Sequence, residues 1–185
     1  MPKLIYTALM SLDGYNADAD GSFRWAAPDE EVHEFVNELS RPVGTLLLGR
    51  RMHEVLGVWD TMDCSEEPES MRDFQAIWRA TDKVVFSRTR SELLAPRTRL
   101  EREFDPALVR ELKATAVRDL GIGGPVLAAH ALHAGLVDEL QLVISPVVVG
   151  GGNRVLPDGL HLELELQAER QFGNGTVYVQ YGVRG

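Results

Sequence analysis

Residues 45–54 read Thr45-Leu46-Leu47-Leu48-Gly49-Arg50-Arg51-Met52-His53-Glu54. The apolar run up to Leu48 is too short for a helix and has the length of a strand covered on both faces. Gly49 ends it, and Arg50 to Leu56 has the spacing of a short helix that begins at once. A buried strand turning through a glycine into a helix is a building unit of α/β folds. The turn also has chemical potential. The first N–H groups of a helix lack intrahelical partners and carry the positive end of its dipole, which suits an anion. Arg50 and Arg51 add planar donors matched to phosphate oxygens. A tight turn with two solvated arginines accounts for the same residues.

The same alternation extends in both directions. Lys3 to Met10 reads as a first strand, and Asp13-Gly14 and Asp20-Gly21 punctuate the polar loop after it. Pro28-Asp29-Glu30-Glu31 places acids at the positive end of a helix whose Val32, Phe35, Val36 and Leu39 keep helical spacing to Ser40. Beyond the acidic loop 60–70, a helix is expected from Ser70 to Ala80, a buried strand at Lys83–Ser87, a weak strand at Thr98–Glu103 and a helix at Pro106–Thr115. Val117–Ile122 is a poor strand by composition, but Gly123-Gly124 and an apolar helix, Val126–Leu136, follow it. Gly135 fits the C-terminal cap of that helix. Glu139–Val149 is the most apolar strand, and its Pro146 requires a bulge or an edge. His161–Glu169 alternates as a half-buried antiparallel strand does, and Val177–Val183 closes a hairpin over the turn Gly173–Thr176. The expectation is one α/β domain over 1–185, with helices on both faces of a mixed, mostly parallel sheet and an antiparallel hairpin last.

Composition narrows the function. The 185 residues carry 28 acidic and 19 basic side chains, a formal charge of −9. That balance opposes general nucleic-acid binding, which rests on neutralising phosphates. No apolar run reaches the ~20 residues of a membrane-spanning helix, and the N-terminus lacks the apolar core of a secretory signal. Cys64 is the one cysteine, set among acids, and reads as a free thiol in a reducing cytoplasm. His130 and His133 share a helix face without an HExxH pattern, so no metal site is expected. A Gly-x-Ser-x-Gly elbow and a G-x-x-x-x-G-K-[ST] phosphate loop are both missing.

Three further stretches carry chemistry. Asp119-Leu120-Gly121-Ile122-Gly123-Gly124-Pro125-Val126 is a second strand-to-helix turn, in which glycines admit a ligand and Pro125 suits the first helical position. It is not the dinucleotide fingerprint G-x-G-x-x-G, because Val126 stands at the third glycine position. Arg79 to Arg102 holds seven bases and three acids in an otherwise acidic chain. Within it, Ser87, Arg88 and Arg90 follow a buried strand, where open α/β sheets bind ligands; a solvated charged face is the plain alternative. Last, Trp25 precedes Asp29, Glu30 and Glu31, carboxylates able to hold a polar heterocycle or simply to stabilise a helix start.

Ser11-Leu12-Asp13-Gly14, Leu46 to Glu54, Gly123-Gly124, Leu136-Val-Asp-Glu-Leu140 and Ser145-Pro-Val-Val-Val-Gly150 occur in an order that resembles the dihydrofolate reductase-like family. Within it, the chain looks like the branch of the riboflavin-biosynthesis reductase (RibD) C-terminal domain. The resemblance implies a three-layer α/β/α fold that binds NADPH at the carboxyl ends of its strands. It places Gly49, Arg50, Arg51 and Met52 at cofactor phosphates, Ser87 and Arg88 at the adenosine 2′-phosphate, and Gly121, Ile122, Gly123, Gly124, Pro125 and Val126 under the pyrophosphate. It sets Thr7 and Ala8 beside the nicotinamide, with Leu12, Asp13 and Gly14 in a loop over it. One acid among Asp29, Glu30 and Glu31 would orient or protonate the substrate, and Trp25, Phe35 or Trp59 would stack on it. The implied activity is hydride transfer to a pteridine- or pyrimidine-like small molecule, with the phosphoribosylaminouracil reductase of riboflavin synthesis as one form. A nucleotide-binding sensor that has lost turnover is the alternative. The chain lacks the cysteines of the zinc deaminase domain found in bifunctional riboflavin enzymes. A homodimer is expected, through the apolar strand 139–149 and the Gly150 region.

Overall fold

An eight-stranded sheet forms the middle layer of the computed structural model, which describes residues 1–92 and 95–184. Its strands in chain order are β1 (Leu4–Ser11), β3 (Val43–Gly49), β4 (Asp82–Phe86), β5 (Thr98–Glu101), β6 (Asp119–Gly123), β7 (Glu139–Ser145), β9 (Leu164–Gln171) and β10 (Val177–Val183). Two short strands, β2 (Tyr15–Ala17) and β8 (Asn153–Arg154), pair as a separate ribbon. The helices are α1 (Glu30–Ser40), α2 (Arg50–Leu56), α3 (Glu69–Ala80), α4 (Pro106–Thr115) and α5 (Pro125–His133). Spatially the sheet runs β5-β4-β3-β6-β1-β7-β10-β9. From β5 to β7 every pair is parallel, while β10 is antiparallel to both β7 and β9.

Period-two alternation divides the apolar residues between the two faces. Leu47, Val84 and Ile122 pack with Val109 of α4 and Leu127 and Ala131 of α5. Their neighbours Leu48 and Val85 point the other way, onto Trp78 of α3. On that second face, Val143, Phe172 and Tyr178 receive Val32 of α1. Helix ends are closed by side chains: Asp29 accepts from the Val32 N–H at 3.0 Å and Asp105 from the Ala107 N–H at 2.8 Å. Lys83, 1% exposed, donates its ammonium to the Trp78 and Thr81 carbonyls at 2.7 and 3.0 Å. Carbonyls of the last turn of α3 and of its C-cap thus satisfy a buried charge, although burial pushes its pKa down.

Several boundaries differ from the sequence reading. β7 stops at Ser145, before Pro146, because an interior strand has no place for a residue without an N–H. It lies between β1 and β10, so it has no free edge to offer a second copy of the chain. The alternating stretch expected at His161–Glu169 becomes a strand only at Leu164, and most of β9 is exposed, because it forms the outer edge of the sheet. Gly152 is held in a close contact, since a Cβ there would lie 2.1 Å from the Ala17 carbonyl oxygen, whereas Gly150 and Gly151 stand in open space. The β2–β8 ribbon was not legible, since its strands are only three and two residues long.

The parallel order brings the last residues of β1, β3, β4, β6 and β7 (Ser11, Gly49, Phe86, Gly123 and Ser145) to one edge of the sheet.

Candidate functional site

Two helices begin side by side at that edge. Gly49 caps α2 with an ordinary extended backbone, φ −72°. Gly124 caps α5 at φ +90°, a conformation that a Cβ disfavours. The Cβ of Met52, in the first turn of α2, lies 3.4 Å from where a Cβ on Gly124 would stand. On Gly123, an added Cβ would meet Leu48 Cδ2 at 2.8 Å. The pair therefore keeps backbone, not side chain, at the meeting point of the two helix mouths. Arg50 and Arg51 are exposed there, and neither joins an ion pair among the described residues. Pro125 is buried and Val126 is 71% exposed. Gly121 and Ile122 lie deeper: Ile122 belongs to the core, and Gly121 makes room for Leu46 and Val43.

At the end of β4, Ser87 is buried, and its Oγ accepts from the Arg90 N–H at 3.2 Å. Arg88 pairs with Glu103 (3.2 Å) and Arg90 with Glu54 of α2 (2.7 Å). That hydrogen bond holds the Glu54 carboxyl below its usual range. The other bases of Arg79–Arg102 are mostly engaged too: Arg97 pairs with Asp82, Arg99 with Glu101, Lys83 is buried, and Arg79 donates to the Asp60 carbonyl. Glu54 and Glu103 were missed as partners, because pairing across tens of residues leaves no local signal.

In the middle of β1, Thr7 donates to Gln141 Oε1 at 2.9 Å, and Ala8 packs in the core. Ser11 closes the following turn: its carbonyl accepts from Gly14 and its Oγ from Tyr15. Leu12 donates its N–H to the Val147 carbonyl while its side chain stands 65% exposed. Asp13 accepts from the backbone N–H groups of Val149 (3.2 Å) and Gly150 (2.7 Å). Hydrogen bonds from Ser11 and those amides hold its carboxyl below the usual range. Asp13 thereby ties the loop after β1 to the loop after β7.

The structure separates the substrate-side candidates. Asp29, Glu30 and Glu31 are all exposed. Asp29 caps α1, whereas Glu31 pairs with Arg170 (2.9 Å) and accepts from Gly173 of the C-terminal hairpin. Phe35 turns to the same hairpin, with its ring edge-on to Phe172 and Tyr178 at 5.2 and 4.7 Å. Trp59 instead meets Phe74 at 5.0 Å, near His33, and half-buried Trp25 donates to the Ser22 carbonyl. His53 of α2 was overlooked: it is 8% exposed, its Nε2 has no partner among the described residues, and burial pushes its pKa down. No trio of His, Cys, Asp or Glu suited to a metal is present among the described residues. Cys64 is free and buried.

Layer order and the edge at which these turns gather define a dihydrofolate reductase-like α/β protein. Accordingly, dihydrofolate reductase of Enterococcus faecalis, complexed with NADP(H), matches it with a TM-score of 0.64 at 14% identity, over 99% of this chain and 97% of that one. The chain belongs to the RibD C-terminal domain family, whose model matches residues 2–178. Among curated relatives, YyaP of Bacillus subtilis, an uncharacterized protein, is 28% identical over 97% of this chain and 94% of its own length. The 2,5-diamino-6-ribosylamino-4(3H)-pyrimidinone 5′-phosphate reductase of Methanothermobacter thermautotrophicus is 27% identical, over 100% of this chain and 99% of its own. Among solved structures, a Shewanella sp. PV-4 protein assigned to riboflavin biosynthesis reaches a TM-score of 0.77 at 21% identity, covering 99% of both chains.

Proposed function

We propose that this chain is an NADPH-dependent reductase acting on a small pteridine- or pyrimidine-like molecule. One observation carries the reading: two helix mouths, opened by Gly49 and Gly123-Gly124, meet at the strand edge beside the exposed Arg50 and Arg51. Family membership and the pyrimidinone phosphate reductase relative support the substrate class. The residues fit the cofactor in type: Gly123 and Gly124, packed on their Cβ sides by Leu48 and Met52, carry no side chain into the turn, and the first N–H groups of α5 lack intrahelical partners.

In this reading, Gly123, Gly124 and the first turn of α5 hold the diphosphate, with Arg50 and Arg51 supplying countercharge. Ser87 and Arg88 take the adenosine 2′-phosphate. The backbone of Thr7 and Ala8 flanks the nicotinamide, and the Leu12–Gly14 loop, tied by Asp13 to Gly150, covers it and excludes water. When bound, NADPH supplies the hydride. The hairpin occupies the Glu31 carboxylate, which leaves Asp29 and Glu30 to orient the substrate or hold its proton. Trp25 and Trp59 remain as stacking surfaces, and Phe35 serves the hairpin contact.

Fluorescence titration with NADPH, followed by oxidation assays with dihydropterins and aminopyrimidine ribosides, tests this. Saturable binding and substrate-dependent oxidation are expected. No binding at millimolar cofactor overturns the reading, whereas binding without turnover of any such compound favours a nucleotide-binding module.

A further inference from the structure

We propose that Glu54 and Glu103 set the nucleotide specificity of this edge by competing with a 2′-phosphate for Arg88 and Arg90. The inference rests on the reductase reading and goes beyond it in assigning two acids that oppose the phosphorylated cofactor. β4 lies between β3 and β5 in the sheet. From the turn that follows it, the two arginines part toward opposite neighbours. Arg90 reaches Glu54 on α2, which follows β3, at 2.7 Å, and Arg88 reaches Glu103, which follows β5, at 3.2 Å. The backbone between them is braced: the Arg90 N–H donates to Ser87 Oγ, and the Arg102 guanidinium donates to the Arg90 carbonyl. The arginines are therefore held at a fixed root while their tips are drawn apart.

Any phosphate that takes both guanidinium groups must first part them from their glutamates. Such a step is feasible, because the Arg88–Glu103 side chains are 79% and 67% exposed, and exposed pairs contribute little. A phosphomonoester carries close to two negative charges near neutral pH and offers three acceptor oxygens, so it competes well with one carboxylate. The glutamates nevertheless tax the phosphorylated nucleotide twice, by occupying its donors and by repelling its charge. The non-phosphorylated dinucleotide has no such group there and avoids both penalties. The chain should therefore favour NADPH over NADH only weakly, and the glutamates, not the arginines alone, set the ratio.

The test uses Glu54→Gln, Glu103→Gln and the double variant of the full chain, with affinities for NADPH, NADH and 2′-AMP measured by fluorescence and calorimetry. Each single change is expected to raise the NADPH-to-NADH affinity ratio about 3-fold and the double change about 10-fold, the scale of exposed ion pairs. Binding of 2′-AMP should tighten in parallel while NADH binding stays constant. Arg88→Gln should lower the ratio and cancel the gain from Glu103→Gln. Circular dichroism and melting curves establish that each variant is folded. An unchanged or lowered ratio in folded glutamate variants overturns the proposal while leaving the reductase reading intact. Failure of the parent chain to bind either dinucleotide overturns both.

Discussion

Asp29, Glu30 and Glu31 are consecutive, yet their surroundings differ: a helix cap, open solvent and an arginine on the C-terminal hairpin. Their type and place were plain from the sequence, but their direction was not, because successive helical residues point about 100° apart. His53 shows the same limit, since the 46–54 stretch marks it as helical but not as buried. Its burial has a consequence for acid stability. The unfolded imidazole titrates near pH 6.5, whereas burial lowers the folded value, so the native state resists protonation. The stabilising contribution is therefore complete above about pH 6.5 and is lost as the pH falls from there through the folded value. Urea midpoints should decline between pH 7.5 and 5.5, and His53→Gln should make that decline smaller. His33, lowered by its own burial, sustains the remainder. An equal decline in parent and variant would remove His53 from this account.

Among the elements, the strand-to-helix units were legible: the expected bounds of α2 and α4 are those observed. Each helix starts at a local cap, Gly49 for α2 and Asp105 for α4, a signal that needs no distant partner. The β2–β8 ribbon depends instead on a contact between chain segments far apart. Gly152 is its pivot, at φ +132° and pressed against Ala17 and Asp18. Gly152→Ala should destabilise the protein by more than about 2 kcal/mol, because an unfavourable backbone conformation and a backbone clash add together. Gly159→Ala is the matched control. Its φ is +73° with open space around the Cβ position, so about 1 kcal/mol is expected. Urea denaturation of both variants checks the difference, and equal losses would remove the clash from the explanation.

Across the whole molecule, ligand binding and folding are coupled. If NADPH binds only the native chain, a concentration one hundred times its Kd adds about 2.7 kcal/mol to stability. For a domain of this size that raises Tm by about 5–10 °C. A thermal melt with and without NADPH reads it directly, and a matching rise with NADH would show that the 2′-phosphate contributes little. The basic segment Arg79–Arg102 belongs to this scale too. Counted along the chain it is an anion site, but in the folded molecule most of it answers acids, several of them on other elements. The sheet has a temporal side as well. β1 is the first strand in chain order, yet its two neighbours are β6 and β7, with Leu4 beside Leu120 and Ser11 beside Ser145. At about 5–20 residues per second of synthesis, those partners leave the ribosome on the order of 10 s after β1 does. Through that interval the apolar segment Leu4–Ser11 lacks both of the neighbours that cover its edges in the folded sheet. The sheet closes around β1 only after Ser145 has been made.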